Sequence, residues 1–280
     1  MVNTPRAHAL AKELRVARKA LGLTLEQLAA EVGLSRAKVS RIENAKQGIT
    51  EADVATLLAG LRIKGDEREQ LLKMARELDQ PAWWELHKGL AAQITGLIDA
   101  EQRAARITEV TSSYVPGLLQ TRDYSRAIFE SGYKTGPEID EAVNIRQVRQ
   151  GVLYKTSPAD LVVFMDEAVL HRPVGGPAVA AEQFSHVLKA AERPNIVVRV
   201  VPMRLGAHKG LDGGFMLLET ERGGTAIYVE AQNAGLVLTD PEEESPFRRT
   251  IARIEEVALP PDESAKLIAA CAARFEGRET

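Results

Sequence analysis

The sequence predicts an all-α domain of five helices followed by an α+β domain with a mixed or antiparallel sheet. Three observations predict it. Between Leu10 and Leu78 apolar residues recur at three- and four-residue spacing, and Thr24, Ser35 and Thr50 stand where N-caps belong. Between residues 106 and 230 short runs rich in β-branched residues alternate with helical periodicity. At Asp79-Gln80-Pro81 a proline stops the last of the five helices, which places the domains at 1–80 and 81–280.

The first helix is striped by Leu10, Leu14 and Ala17. Thr24 caps the second, with Gln27 at the reciprocal capping-box position, and Ser35 caps the third. Thr50 caps a fourth whose Val54, Leu57, Leu58 and Leu61 face inward, and a fifth from about Asp66 to Leu78 carries Leu71, Leu72 and Ala75. Leu25 to Ile42, LEQLAAEVGLSRAKVSRI, is two short amphipathic helices hinged at Gly33, where a turn with positive φ is cheap for glycine alone. Ala29 sits where the two helices cross, a place that a larger side chain would wedge open. Leu28, Leu34, Val39 and Ile42 fall on the buried side. Ser35, Arg36, Ala37, Lys38, Ser40 and Arg41 remain outward, a set of donors and small residues suited to a groove lined with acceptors.

Charge divides along the same line. Residues 1–48 hold nine Lys/Arg and four Glu, a surplus of +5, whereas the chain as a whole is −3, so the remainder carries −8. Phosphate neutralisation needs local charge, and this asymmetry is that of a DNA-facing module joined to one that does not face DNA. A composition of 45% hydrophobic and 27% charged residues is ordinary for a globular protein. The single cysteine, Cys271, excludes an internal disulfide; the polar start MVNTPRAHALAKEL is unlike a signal peptide, and no run approaches the ~18 apolar residues of a membrane span. A cytoplasmic location and no membrane partner are expected.

The Leu25–Ile42 segment, with LGLTLEQLA before it and RIENAKQG after it, resembles the repressor-like helix-turn-helix of the lambda/434 type, the XRE family, from about Ala7 to Leu61. The resemblance implies a third helix that lies in the major groove of double-stranded DNA and a dimer that reads two half-sites about one helical turn apart. Its N-terminal end points at base edges, which assigns base contacts to Arg36 and Ala37, with Arg41 expected on the same face one and a half turns later. Thr24, Ser35, Lys38, Ser40, Asn44 and Lys46 flank these and are assigned to phosphates. Alignment with the repressor pattern makes Arg18 and Glu43 a structural pair. Two positions depart from the family: Leu25 stands where a phosphate-touching Gln is common, and Ala45 where Gly is usual.

In the second domain a helix is predicted near 90–104, a strand near 106–113, a Pro116-Gly117 turn, and helices from Arg122 and over Glu138–Tyr154. Further strands are predicted at Leu161–Met165, Ile196–Val201, Gly214–Leu218 and Ala226–Glu230, with helices over Ala178–Ala191, Pro241–Val257 and Asp262–Phe275. WWELH at Trp83, VPGLLQTRDY at Val115, IRQVRQGVLY at Ile145, VFMDEAVLHRPVG at Val163, VVRVVP at Val197, GGFMLLE at Gly213 and IYVE at Ile227 resemble the C-terminal domain of actinobacterial regulators of the WhiJ type. That resemblance implies control of development or secondary metabolism, often with a small protein encoded nearby, and no settled ligand.

Catalytic chemistry is not expected. Asp166, Glu167 and His171 lie close in sequence and His208 sits in the glycine-rich GAHKGLDGG. The five histidines, however, show no metal-ligand spacing, and that loop is no GxGxxG phosphate cradle. No enzyme activity, metal or cofactor is therefore expected. Pro116, Gly117, Leu118, Leu119 and Gln120 admit two readings. They either pack a helix onto the sheet or, with Trp83, Trp84, Tyr124, Arg146 and Arg149, border a groove for a small molecule or a partner's tail. The function expected is a sequence-specific DNA-binding transcription regulator, a homodimer whose C-terminal domain takes a signal. The alternative is an antitoxin-like or scaffolding interaction module with only autoregulatory DNA binding.

Overall fold

The structure, a computed structural model, describes residues 5–78, 92–132, 135–221, 223–231 and 234–277. The chain forms two compact units, residues 1–99 and 100–280. The boundary expected near 81, together with Trp83 and Trp84, lies outside the described residues.

The first unit contains the five expected helices: α1 (Pro5–Ala20), α2 (Leu25–Glu31), α3 (Arg36–Glu43), α4 (Glu51–Gly60) and α5 (Gly65–Glu77). Three begin as the sequence predicts, with Thr24, Ser35 and Thr50 accepting the backbone N–H three residues on, and Gln27 closes the capping box back onto Thr24. Each such cap is worth about 1 kcal/mol. Leu10, Leu14, Leu28, Val39, Ile42, Val54, Leu57, Leu58 and Leu71 fill one core, and burying each such side chain contributes roughly 1.5–3 kcal/mol. Leu25, the departure from the family pattern, packs its side chain against this core. Gly33 takes the left-handed turn with φ of 67°, and Leu34 N–H reaches back to the Ala29 carbonyl to end α2.

A feature that the sequence did not announce is Gly60 at the end of α4. A Cβ there would stand 2.3 Å from Val32 Cγ1 and 3.1 Å from Leu28 Cδ1, so the end of α2 crosses α4 through a missing side chain.

α6 (Ala92–Arg103) leads into the second unit, whose sheet is mixed. Its strands are β1 (Arg106–Thr111), β2 (Asp160–Asp166), β3 (Ile196–Val201), β4 (Phe215–Glu219), β5 (Thr225–Ala231) and β6 (Ala234–Leu238), in the order β3-β2-β1-β4-β5-β6. β1, β2 and β3 run parallel, and β4, β5 and β6 continue antiparallel from β1. Connection length explains the split. Parallel neighbours need a crossover, supplied by α7 (Arg122–Glu130) with α8 (Gly136–Arg149) and then by α9 (Pro177–Ala191), whereas β4, β5 and β6 follow one another through short turns. β6 was not expected, since Ala234 and Gly235 open it without a β-branched signal.

One sheet face sets Val110, Phe164 and Phe215 against Ile254, Ile251 and Phe247 of α10 (Pro241–Val257), with Phe215 and Phe247 edge to face at 4.9 Å. Arg199 closes the end of α10 by donating to the carbonyls of Glu255, Ala258 and Leu259. α11 (Pro261–Phe275) packs on α9 and covers the outer edge of β3, where Ser264 Oγ accepts the Val200 N–H at 2.9 Å and the Val200 carbonyl accepts Leu259 N–H. That edge is thereby withheld from other strands. The helix expected over Glu138–Tyr154 stops at Arg149 and finishes in a 3-10 turn through Gly151.

Candidate nucleic-acid interface

α3 has one buried side, Val39, Ile42 and Glu43, and one side in solvent. Arg36, Ala37 and Arg41 are all exposed. Five residues turn an α-helix through 500°, so Arg36 and Arg41 project about 140° apart. The expectation that they share one face is corrected accordingly. Ala37 stacks with Arg41 and Arg36 with Ser40, at the four-residue spacing that makes side chains neighbours.

Both arginines are held in place before any ligand arrives. Arg36 pairs with Glu26 of α2, and Arg41 Nε donates to Gln47 Oε1 at 2.9 Å. The side chains assigned to phosphates differ in what already holds them, and Ser40 among them is half-buried. Thr24 and Ser35 oxygens accept backbone N–H groups as caps, which leaves each hydroxyl proton free to donate outward. Asn44 donates to the Ser40 carbonyl at 2.7 Å, which turns it along the helix, and Lys46 is exposed. Lys38 is engaged with Asp53 of α4 at 2.6 Å. Burial alone would push the Asp53 carboxyl up, but bonds from Lys38 and Thr50 outweigh it and hold it below the usual carboxylate range.

Under this face lies an ion pair. Arg18 Nε and Nη2 each donate to one Glu43 oxygen at 2.8 Å, and Nη1 donates to the Leu23 carbonyl at 2.7 Å. The hydrogen bond to Glu43 keeps the guanidinium above its ordinary range. α1 is thus fastened to the last turn of α3 and to the loop that enters α2. The chain leaves α3 with Ala45 in the left-handed region, φ 51°, and fully buried.

In the second unit the structure brings Pro116, Gly117, Leu118, Leu119, Gln120, Tyr124, Arg146 and Arg149 together as an interlocked joint. Leu118, Leu119 and Tyr124 are sealed in the core, so these three do not line an open groove. Gln120 Oε1 accepts from Arg146 and from Ser125, while Gln183 of α9 bonds both the Leu119 carbonyl and the Thr121 N–H. Arg149 forms a bidentate pair with Glu101 at 2.9 and 2.6 Å. Sequence reasoning missed Glu101, Gln183 and Glu109; the signal available for the first two was helical spacing, which puts Glu101 on the stripe of Leu97 and Ile98 and Gln183 on that of Ala180 and Val187.

Asp166 and His208 also meet, at 2.8 Å. Gly210 N–H donates to His208 Nδ1 at 3.1 Å, so Nε2 carries the proton that Asp166 accepts. Both ring nitrogens are occupied by the fold, and the second Asp166 oxygen accepts the Ala168 N–H. Among the described residues no three His, Cys, Asp or Glu side chains gather in a metal-holding group, and no helix is long and apolar enough to cross a membrane.

Comparison with known families fits both units. A family model described as Helix-turn-helix domain matches residues 9–71, and one described as Domain of unknown function (DUF5753) matches residues 94–270, more than half of the chain. The chain belongs to the DUF5753 family. No curated protein and no solved structure matches it. The architecture is therefore an XRE-like helix-turn-helix at the amino terminus with a DUF5753 domain behind it, as the two resemblances imply. The helix-turn-helix makes this DUF5753 protein a DNA-binding regulator of transcription.

Proposed function

We propose that the protein is a sequence-specific transcription regulator that binds its operator as a homodimer, with the DUF5753 domain receiving a signal from a ligand or a small partner protein. The observation that carries the reading is the solvent side of α3, which exposes Ala37 with Arg41 on one stripe and Arg36 on a neighbouring one while Arg18 and Glu43 fasten the helix from below. Arg36 and Arg41 suit guanine O6/N7 and Ala37 a thymine methyl. Thr24, Ser35, Ser40, Asn44 and Lys46 take phosphates, and Lys38 joins them by exchanging Asp53 for a phosphate oxygen. One helix covers too few base pairs for a unique site, which is the reason for two copies and for half-sites about 34–36 Å apart. A cytoplasmic location accords with this role.

The test is selection of binding sites from random DNA, followed by titration against salt. A two-fold symmetric site is expected, with affinity falling about 10³-fold or more between ~50 and ~200 mM salt. An asymmetric single half-site bound by one copy removes the homodimer from the proposal. Affinity for selected DNA no better than for random DNA removes the sequence specificity.

A further inference from the structure

The DUF5753 domain holds a charged cluster on the face of the sheet opposite α10. Glu109 of β1 and Tyr228 of β5 stand level across Met216 of β4, and Glu101, Arg146, Arg149 and Glu230 all lie within electrostatic range. Two of its atoms, Glu109 Oε2 and Arg146 Nε, are buried without a hydrogen-bond partner. A folded protein seldom leaves such atoms unsatisfied, and two in one cluster call for an explanation.

We propose that Glu109, Arg146 and Tyr228 border a binding site for a small carboxylate ligand, whose two oxygens bridge Arg146 Nε and the Glu109 carboxyl.

Charge selects the ligand class. Arg149 is neutralised by its bidentate partner Glu101, while Arg146 spends Nη1 on the neutral Gln120 amide and lays its guanidinium over the Phe129 ring at 4.6 Å. Among the described residues no ion pair joins Arg146 to a carboxylate: Glu101 is held by Arg149 and Glu230 is exposed to solvent, so a bound carboxylate is its first direct ionic partner. Burial pushes Glu109 up to about 8, against the opposing pull of Arg149 and Arg146 and with the support of Glu101 and Glu230. At neutral pH Glu109 therefore keeps its proton and donates it to the ligand, where an amine would meet a neutral acid and a cation. Gly235 fixes the Tyr228 ring: a Cβ there would lie 2.6 Å from the Tyr228 hydroxyl, so the ring packs onto that bare backbone. Glu230 is exposed and marks the side that meets solvent.

This deepens the reading of the domain as the receiver of a signal, and ligand binding is measured apart from operator binding so that either can fail alone. The experiment is calorimetric titration and thermal melting of the full chain with acetate and benzoate, with benzylamine and benzamide as controls. Benzoate is expected to bind near pH ~6.5 and to lose up to about tenfold in affinity per pH unit above ~8, as the Glu109 proton leaves. Arg146→Met, if its circular dichroism matches wild type, should bind benzoate at least tenfold more weakly, and Glu109→Gln should flatten the pH profile. If Arg146→Met does not fold, the Glu109→Gln profile decides. Benzylamine binding where benzoate does not, no carboxylate effect at ~20 mM, or an unchanged pH profile in Glu109→Gln overturns the proposal.

Discussion

Arg18 and Glu43 join the first helix to the last turn of α3 through two parallel hydrogen bonds of 2.8 Å, both side chains being nearly removed from water. The pair serves the DNA-facing helix without touching DNA. Arg18→Ala strands the Glu43 carboxylate in the core, a loss of about 3–5 kcal/mol. Urea unfolding should show that loss, and the fraction that remains folded should keep its base preference. A variant that melts like wild type yet fails to bind DNA would move Arg18 to the contact surface.

Arg36 and Lys46 should fail differently. If Arg36 reads a guanine, Arg36→Ala weakens binding to the operator by about 1–3 kcal/mol and relaxes preference at one position. Lys46→Ala weakens binding to every sequence alike and lowers the salt slope by about 1. Competition titrations with operator and random DNA separate the two. Equal losses on both DNAs for Arg36→Ala would reassign it to a phosphate.

Gly60 should tolerate no side chain. Its missing Cβ is replaced by Val32 Cγ1 at 2.3 Å, so Gly60→Ala forces α2 and α4 apart, with overpacking costing about 1–3 kcal/mol. Helix propensity pulls the other way by up to ~1 kcal/mol, which leaves a net loss. A melting temperature equal to or above that of wild type would show that the crossing has slack.

These cases show what was legible in the sequence. The helix-turn-helix was readable because caps, hinge and apolar stripe are local: Thr24, Ser35 and Gly33 each act within four residues of themselves. Gly60 was not, since its meaning depends on Val32, 28 residues earlier in the numbering and adjacent only in space. The parallel strands of the second unit were legible from their β-branched runs, but β6 lacked that signal and takes its place by pairing with β5. Arg146 and Arg149 stand out in the sequence alongside the PGLLQT turn. Their partners Gln120 and Glu101 lie 26 and 48 residues away, too far for spacing to reveal them.

Ala45 and Arg62 test backbone strain against packing. Both follow helix ends with positive φ, 51° and 58°, and the N–H of the next residue closes each turn, Lys46 onto Arg41 and Ile63 onto Leu58. A non-glycine residue in this region costs about 1–2 kcal/mol. The Arg62 side chain is 78% exposed with a loose 3.8 Å approach to Glu31, so Arg62→Gly should stabilise by about 0.5–1 kcal/mol. Ala45 is fully buried, and losing its methyl gives back about 0.8 kcal/mol, so Ala45→Gly should be close to neutral. Thermal melts of the two variants should differ in that order; a larger gain for Ala45→Gly would mean that its methyl contributes little to the core.

Glu109 should make the stability of the second unit fall as pH rises. Burial holds it up at about 8 in the folded chain, against about 4.3 in an unfolded one. Between those values the unfolded chain releases the proton first, so folding is penalised progressively from about pH 4.5 to about pH 8, and the penalty is constant above that. The full shift would correspond to about 5 kcal/mol, and partial solvent access reduces the expectation to about 1–3 kcal/mol. Glu109→Gln removes the titration while keeping the side-chain volume. Urea unfolding in buffers free of carboxylates, at about pH 5 and about pH 8, should therefore show a smaller difference in the variant by about that amount. The same difference in both proteins would place the Glu109 carboxyl in water.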